Sequence, residues 1–260
     1  MRLKDHVILV TGSTRGIGRA IAERCIAEGA RVMITDLPAQ SDAGDDFVNA
    51  HGADRAAFVA DDLRDPAAPA RLIDAAINKF GKLDGLVNNA AMVTRSDLSS
   101  TTAELFDELM AVNVRAAMLM IQSAATHLEK TRGRVVNIGS INAWCGERVL
   151  LAYSMTKGAL MTMSRNLGDA LGPRGVRVNQ VNFGWVLTEK ELAVKIEDGL
   201  PEDWPTRLPT DRIPAGRMTT PQDAAAAVVY WVSDESFPAS GSVVDFEQFP
   251  VLGRNPVKEV

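Results

Sequence analysis

The chain of 260 residues predicts a single α/β domain with a doubly wound parallel sheet of about seven strands flanked by helices. Short β-rich runs alternate with helical patterns from the first residues onward, which is typical of strand–helix–strand units. A glycine-rich turn joins the first predicted strand to the first predicted helix, and an acidic residue ends the second strand. The sequence contains neither an internal repeat nor a low-complexity linker, so we predict one domain over residues 1–260.

The predicted elements follow one another in alternating order along the chain. Strands are predicted at His6–Thr11, Arg31–Asp36, Ala56–Ala60, Gly85–Asn88, Arg134–Gly139, Arg177–Val181 and Ser242–Asp245. Helices are predicted between them at Gly16–Glu28, Asp42–His51, Pro66–Phe80, Thr102–Glu129, Ala152–Leu171 and Pro221–Trp231. Parallel strands of this kind bring their carboxyl ends to one edge of the sheet, where ligands bind.

This alternation stops between Thr188 and Thr220, where the chain is rich in proline, charge and tryptophan. A long stretch with little periodicity inside a compact domain is typical of a functional loop. It follows the sixth predicted strand on the ligand-binding edge of the sheet. We therefore predict a substrate lid around residues 188–220, and a C-terminal tail over residues 246–260.

Composition excludes several classes of protein. Hydrophobic residues make up 46% and charged residues 23%, which is ordinary for a soluble globular domain. The net charge of -5, without a long basic run, argues against a nucleic-acid partner. No signal sequence or apolar run of about 20 residues is apparent, so no membrane association is predicted. The two cysteines and three histidines have no disulfide or ligand spacing, which predicts a cytoplasmic protein without a metal site.

The glycine-rich turn is the first functional motif. Glycines in such a turn let the backbone approach a pyrophosphate, which the following helix N-terminus stabilises. Asp36 ends the second strand, where a carboxylate binds the adenine ribose and repels a 2′-phosphate. Arg15 is a contrary signal, because a cation in the turn could contact that phosphate. We predict NAD rather than NADP, with contacts from Gly12, Ser13, Thr14, Arg15, Gly16, Ile17, Gly18, Asp36 and Leu37.

The second motif is a tyrosine and a lysine, Tyr153 and Lys157, on one predicted helix. Residues four apart face the same side of a helix, so the ammonium can favour the phenolate. We expect this to lower the tyrosine pKa from about 10 toward neutrality. A tyrosine that exchanges protons near pH 7 beside a dinucleotide site implies hydride transfer to or from a carbonyl. An isolated pair would more often be a solvated helix face.

Together these motifs resemble the short-chain dehydrogenase/reductase family, a Rossmann-fold family, over nearly the whole chain. The resemblance rests on Thr11–Gly18, Asp62-Leu63, Asn88-Asn89-Ala90-Ala91, Asn113, Ser140, Tyr153 and Lys157 in family order and spacing. It implies that Ser140 holds the substrate oxygen, Tyr153 exchanges its proton and Lys157 binds the nicotinamide ribose. It also implies that Asn113 distorts its helix and holds a water. The further cofactor contacts it implies are Asp62, Leu63, Asn89, Ala90, Val112, Gly184, Val186 and Thr188.

The chain also departs from the usual pattern of that family. The family's Pro-Gly after strand six is Phe183-Gly184 here, its final Asn-Asn-Ala-Gly glycine is Ala91, and its Asp-Gly-Gly near the C-terminus is Asp245-Phe246-Glu247. These departures leave the reaction type in place and the substrate open. Helices 102–129 and 152–171 resemble the pair that family members use for dimer contacts, so we expect a homotetramer or homodimer.

The candidate substrate residues mix charged, hydrogen-bonding and aromatic groups. This mixture favours a small sugar, polyol or sugar acid over a fatty chain, because such ligands need many directional partners. An arginine could bind a substrate carboxylate in bidentate fashion. An NADPH-dependent carbonyl reductase of ketones or ketoesters, and a non-catalytic dinucleotide sensor, are the alternatives. The candidates are Arg95, Asn142, Trp144, Arg148, Trp185, Trp204 and, from a neighbouring subunit's tail, Arg254.

Overall fold

The computed structural model describes residues 1–252, and its centre is one seven-stranded parallel sheet in the order β3-β2-β1-β4-β5-β6-β7. The predicted fold class is confirmed, and the strand ends move by no more than two residues. The strands are β1 Val7–Thr11, β2 Arg31–Asp36, β3 Ala56–Ala60, β4 Gly85–Asn88, β5 Arg134–Ser140, β6 Arg177–Phe183 and β7 Val243–Phe246.

The helices connect successive strands and cover both faces of the sheet. They are α1 Gly16–Ala27, α2 Ser41–His51, α3 Ala68–Phe80, α4 Ala103–Met110, α5 Ala116–Thr131, α6 Asn142–Cys145, α7 Leu151–Leu171, α8 Glu189–Glu197 and α9 Pro221–Val232. Short 3₁₀ turns occur at Pro38–Gln40, Gly172–Arg174, Trp204–Thr206 and Asp234–Ser236.

Two hydrophobic cores lie on opposite faces of the sheet. Successive strand side chains point to opposite faces, and β1 shows this clearly. Ile8 and Val10 pack into the core that also holds α1 and α9, whereas Val7 and Leu9 pack into the core that holds α3 and α5. All five residues of β1 are buried, as expected for a central strand of a sheet covered on both faces. The carboxyl ends of the strands are therefore held rigidly in one row.

The helix predicted over Thr102–Glu129 is not continuous, and this prediction was wrong. A π-helical segment, Ala111–Arg115, separates α4 from α5. Its buried Asn113 accepts a hydrogen bond from the Met92 amide (2.7 Å) and donates one to the Met92 carbonyl (2.9 Å). These bonds tie the widened turn to the loop after β4. π-helical turns of this kind often mark functional sites.

The stretch that contains α4 and α5 also has the length of a membrane-spanning helix. Ala103–Thr131 is long and apolar enough to cross a membrane by length and composition, so the expectation that no segment reaches this length was too strict. Within the structure, 44% of its most apolar window is buried. Core helices of soluble proteins pass the same test, and therefore this stretch is weak evidence for a membrane span.

Residues 188–220 are more ordered than the sequence pattern predicted. Thr188 caps α8, because its side chain accepts a hydrogen bond from the Glu191 amide. The rest of the segment packs around a small core of Trp204, Ile213 and Met218. The segment was expected to show little periodicity, but its first part forms the helix α8 behind the Thr188 cap. The predicted tail residue Arg254 lies outside the described residues.

Candidate active site

The four predicted catalytic residues come together at the carboxyl ends of β4 and β5. Ser140 is the last residue of β5, and Tyr153 and Lys157 lie one turn apart on α7. The Ser140 hydroxyl accepts a hydrogen bond from the Asn142 amide (3.2 Å), and Ser140 lies beside Tyr153, whose pKa it acts to lower. A substrate oxygen placed between these two hydroxyls would reach both of them.

Lys157 is buried behind Tyr153. Its ammonium donates a hydrogen bond to the Ile138 carbonyl (2.8 Å) and lies 5.5 Å from the centre of the Tyr153 ring. One further residue, Thr156, joins this pair to the π-helical segment. The Thr156 hydroxyl donates to the Tyr153 carbonyl (2.6 Å) and accepts from the Asn113 amide group (3.1 Å). Sequence reasoning missed Thr156, although its position next to Lys157 was a usable signal.

Burial dominates the electrostatics of the pair. It raises the pKa of Tyr153 to about 12, although the hydrogen bond from Ser140 acts in the opposite direction. It also lowers the pKa of Lys157 to about 8. Burial shifts each group toward its neutral form, because a low-dielectric site penalises charge, although Lys157 remains mainly an ammonium below pH 8. The expectation that Lys157 holds the Tyr153 pKa near neutrality was therefore wrong for the free site.

The glycine turn approaches its neighbours so closely that larger residues would not fit. A Cβ atom on Gly12 would lie 2.8 Å from the Ala90 Cα atom. A Cβ on Gly18 would collide with the Gly12 carbonyl and the Asn89 amide, and would lie 2.9 Å from the Ser13 Cα atom. The Asn89 side chain fixes the turn, since it donates to the carbonyls of Thr11 (2.9 Å) and Gly12 (2.8 Å).

Asp36 faces the same turn from the end of β2. Its carboxylate accepts hydrogen bonds from the Thr14 hydroxyl (2.7 Å), the Thr14 amide (3.2 Å) and the Leu37 amide (2.9 Å). Arg15 is exposed beside it. The two opposing signals for cofactor choice thus lie next to each other, with Asp36 held in place by its neighbours.

A cleft of about 340 Å³ joins nine of the predicted cofactor residues, about half of them. It passes the glycine turn, Asp36 and the ends of β3 and β4, and Thr188 closes on the turn from the segment after β6, 3.7 Å from a Cβ built on Gly16. The cleft and the glycine backbone of the turn beside it fit a dinucleotide. Its lining residues are Gly12, Arg15, Thr35, Asp36, Leu37, Asp61, Asp62, Leu63, Arg64, Asn89, Ala90, Ala91, Met92, Glu108 and Val112.

Most predicted substrate residues already have partners within the protein. Arg95 forms a bidentate ion pair with Asp198, which follows α8 (2.7 and 2.8 Å). The Trp144 indole donates to Asp245 (2.9 Å), and the Asn142 amide group lies 3.4 Å from the Glu147 carboxylate. Arg148 is exposed. Arg95 and Asp198 border a second cavity of about 400 Å³, next to Glu147 and Lys195.

The two tryptophans that follow β6, Trp185 and Trp204, differ in exposure. Trp185 and Trp204 stack with ring centres 5.0 Å apart, but Trp204 is only 3% exposed whereas Trp185 is 37% exposed. The Trp185 indole also donates a hydrogen bond to Glu191 (2.7 Å). Trp185 therefore presents the exposed ring, and Trp204 supports it from below.

The departures from the family pattern contact one another. The Phe183 and Phe246 rings meet edge to face, with centres 5.6 Å apart. The Glu247 carboxylate accepts a hydrogen bond from the Trp185 amide (3.3 Å) and fills the space that a Cβ on Gly184 would need. The C-terminal segment thus supports the turn after β6 where the usual proline is absent.

Comparison with known proteins gives the same assignment as the geometry. Residues 12–247 match the family described as Enoyl-(Acyl carrier protein) reductase. The chain is 36% identical to 2-(S)-hydroxypropyl-CoM dehydrogenase 3 of Xanthobacter autotrophicus, over 93% of this chain and 94% of the relative. It is 33% identical to L-rhamnose 1-dehydrogenase (NAD(P)(+)) of Azotobacter vinelandii, over 90% and 92% of the two chains.

A solved structure agrees with these relatives. The short chain dehydrogenase from Burkholderia cenocepacia in complex with NADP superimposes with a TM-score of 0.84 at 33% identity, covering 95% of this chain and 98% of that one. Fold and site together define an NAD(P)-dependent oxidoreductase that acts on CH–OH groups. The chain belongs to the short-chain dehydrogenase/reductase family.

Proposed function

We propose that the protein oxidises a secondary alcohol of a small sugar, polyol or sugar acid, using NAD. The observation that carries the proposal is the placement of Ser140, Tyr153 and Lys157 together, with the Lys157 ammonium 5.5 Å from the centre of the tyrosine ring. The charged and aromatic surroundings of these residues support a polar substrate. Two relatives, named as acting on rhamnose and on a hydroxypropyl compound, support a sugar or another small secondary alcohol.

The side chains divide the work of alcohol oxidation between them. Ser140 and Tyr153 hydrogen-bond the substrate hydroxyl, and the Tyr153 phenolate accepts its proton. The Lys157 ammonium stabilises the phenolate. Asn113 donates a hydrogen bond to Thr156 and so holds α7, the helix that carries Tyr153 and Lys157. A nicotinamide dinucleotide supplies the hydride acceptor, or the donor in the reverse direction. The glycine turn, Asp36 and Thr188 would hold it.

An absorbance screen at 340 nm tests the proposal directly. Purified protein is mixed with NAD or NADP and with sugars, polyols, sugar acids and simple secondary alcohols. We expect NADH formation with a sugar or polyol. Activity confined to ketone reduction with NADPH would favour the carbonyl reductase, for which exposed Arg15 is the supporting feature. Dinucleotide binding without turnover in either direction would favour a sensing role.

We expect the rate of alcohol oxidation to rise with pH up to about 8 and then to level off. The active form pairs a Tyr153 phenolate with a Lys157 ammonium, and below the Lys157 pKa it carries one proton fewer than the dominant form. Its fraction therefore rises about tenfold per pH unit. Above that pKa the dominant form has a neutral phenol and a neutral amine. This form carries the same number of protons as the active phenolate–ammonium form, so the active fraction no longer changes with pH.

A profile of kcat/KM for alcohol oxidation between pH 6 and pH 10 measures this dependence. The apparent pKa belongs to the two groups as a pair. A rate that continued to rise through pH 10 would mean that Tyr153 titrates independently of Lys157. The reverse reaction, which needs the neutral phenol, should show no corresponding rise with pH.

The NAD preference gives a second expected result. Asp36→Ala should shift the NADPH-to-NADH affinity ratio toward NADPH by roughly tenfold or more, because the carboxylate that repels a 2′-phosphate is lost. Fluorescence titration with both reduced cofactors measures the ratio. Asp42→Ala is the matched control, since Asp42 is an exposed carboxylate in the first turn of α2. If both variants left the ratio unchanged, recognition of the ribose would lie elsewhere.

We further propose that residues 188–220 act as a substrate lid and that the protein is a cytoplasmic homotetramer or homodimer. The Arg95–Asp198 ion pair supports the lid, because it joins the loop after β4 to the segment after β6.

Exposed Met118 on α5 and Met155 on α7 support a subunit interface on the two central helices. Light scattering of the purified protein measures the oligomeric state.

A further inference from the structure

The segment 188–220 leaves the sheet and returns to it at the same place. At its two ends the Leu187 amide donates a hydrogen bond to the Thr219 carbonyl (2.8 Å), and Val186 forms a parallel bridge with the same threonine. The whole segment therefore extends from one narrow base. Contacts at this base decide where the rest of the segment lies, because a few residues at the ends of a mobile loop absorb its changes in backbone angle.

Gln248, two residues beyond the end of β7, holds the returning end of the segment. Its side-chain oxygen accepts a hydrogen bond from the Ala215 amide (2.9 Å), and its side-chain nitrogen donates one to the Arg217 carbonyl (2.8 Å). A carboxamide carries both an acceptor and a donor, so it can satisfy an N–H and a C=O group of the same stretch of backbone. Ala215 and Arg217 are exposed, whereas Gln248 is half-buried. The glutamine thus ties exposed backbone to the end of the sheet.

The residue before it, Glu247, holds the outgoing end of the segment. One oxygen of its carboxylate accepts a hydrogen bond from the Trp185 amide (3.3 Å), and the other accepts one from the Gln248 amide (2.7 Å). The second bond fixes the backbone of the glutamine as well. Two consecutive residues after β7 therefore hold both ends of the segment, next to the place where β7 pairs with β6.

A contact at the far side of the segment is the Arg95–Asp198 ion pair, whose side chains are 47% and 36% exposed. Exposed ion pairs contribute little to stability, because water solvates the separated charges and pairing costs side-chain entropy. The small core of Trp204, Ile213 and Met218 lies within the segment, so it stabilises the fold of the segment rather than its attachment. The position of the segment therefore depends on its base.

We propose that Gln248 is a positioning residue that holds the proposed lid over the catalytic residues and thereby sets the affinity for the alcohol substrate. The base of the lid lies close to them, since Phe183 pairs with Ser140 on one side and with Phe246 on the other. Without the two hydrogen bonds of Gln248, fewer molecules have the lid in place, and the apparent substrate affinity falls by the same fraction. The inference rests on the proposed alcohol oxidation and lid, and it adds the residue that holds the lid.

Steady-state kinetics with the sugar or polyol that reacts fastest in the absorbance screen test this inference. Gln248→Ala should raise KM for that alcohol roughly tenfold, the scale of two hydrogen bonds between neutral groups. The value of kcat and the dissociation constant of NADH should stay within about twofold, because the groups on β5, α7 and the glycine turn keep their own contacts. Gln248→Met keeps the length of the side chain but neither bond, so it should match Gln248→Ala. A wild-type KM in the methionine variant would assign the effect to packing and overturn the inference.

Hydrogen exchange of the free protein gives a readout that needs neither substrate nor cofactor. In Gln248→Ala the protected amides of the segment 188–220 should exchange roughly tenfold faster, because exchange reports the local opening equilibrium. Amides of α7 should keep their wild-type rates. Gln222→Ala is the matched control, since Gln222 is an exposed glutamine in the first turn of α9, just beyond the segment. It should keep the wild-type KM and exchange rates.

Three results would contradict the role of Gln248. Unchanged exchange in Gln248→Ala would show that the glutamine does not hold the segment. Faster exchange with an unchanged KM would show that the position of the segment does not set substrate affinity. Equal losses of NADH affinity and alcohol affinity would show general damage to the site. If the wild-type protein oxidised no alcohol, the proposed function would be wrong, whereas the exchange rates would still decide whether Gln248 holds the segment.

Discussion

Tyr153→Phe is expected to lower turnover by about 100-fold or more while NADH binding stays nearly intact. The substitution removes the hydroxyl beside Ser140 and leaves the ring beside Lys157 in place. Without that hydroxyl no group on α7 can take the substrate proton at the same point. Steady-state kinetics with the best alcohol substrate, together with a fluorescence titration of NADH, separate the two effects.

The sequence offers a matched control for this variant. It contains two tyrosines, and the other, Tyr230, lies 41% exposed on α9, away from the predicted site. Tyr230→Phe should therefore keep wild-type turnover. Substantial activity in Tyr153→Phe would mean that another group handles the proton, and equal losses in both variants would point to general damage.

Gly18→Ala is expected to abolish cofactor binding at concentrations that saturate the wild-type protein. One methyl group at this position would overlap the Gly12 carbonyl and the Asn89 amide group, so the whole turn has to move. Displacing binding groups by about 1 Å can weaken function roughly 100-fold, and overpacking also lowers the free energy of unfolding by about 1–3 kcal/mol. NADH titration and thermal unfolding measure the two consequences.

Gly172→Ala serves as the comparison for the glycine variant. A Cβ atom on Gly172 would meet no neighbouring atom within 4 Å, and its backbone lies in the right-handed helical region. The same chemical change should therefore leave cofactor binding unaffected. Normal NADH binding by Gly18→Ala would show that the turn can shift without disturbing the nucleotide site.

The sheet was predictable from sequence because each strand is a short apolar run placed between helical patterns. The glycine turn, Asp36 and the Tyr153–Lys157 pair were predictable for a similar reason, since each motif is local in the chain. The break in the central helix was implied only by the family resemblance at Asn113 and could not be derived from the apolar pattern. Asn113 depends on Met92 and Thr156, which are distant in sequence, and apolar periodicity carries no information about such bonds.

The protonation states of Tyr153 and Lys157 also could not be predicted from the sequence. The spacing of Tyr153 and Lys157 indicates which groups interact, but burial decides the sign of each pKa shift. Likewise, the partner of Arg95 and the small core around Trp204 lie in residues 188–220, whose fold the composition did not predict. Residue types gave the candidates, and tertiary contacts determined which surfaces remained available to a ligand.

The contact between Gly184 and Glu247 constrains how this chain can change over evolutionary time. Gly184 does not have a left-handed backbone, so its own conformation does not require glycine. The Glu247 carboxylate fills the space beside it, so a side chain at position 184 would have to displace the flexible end of Glu247. That displacement would break the hydrogen bond from the Trp185 amide to the Glu247 carboxylate. The effect of a substitution at position 184 therefore depends on the residue at position 247, and the two sites are epistatic.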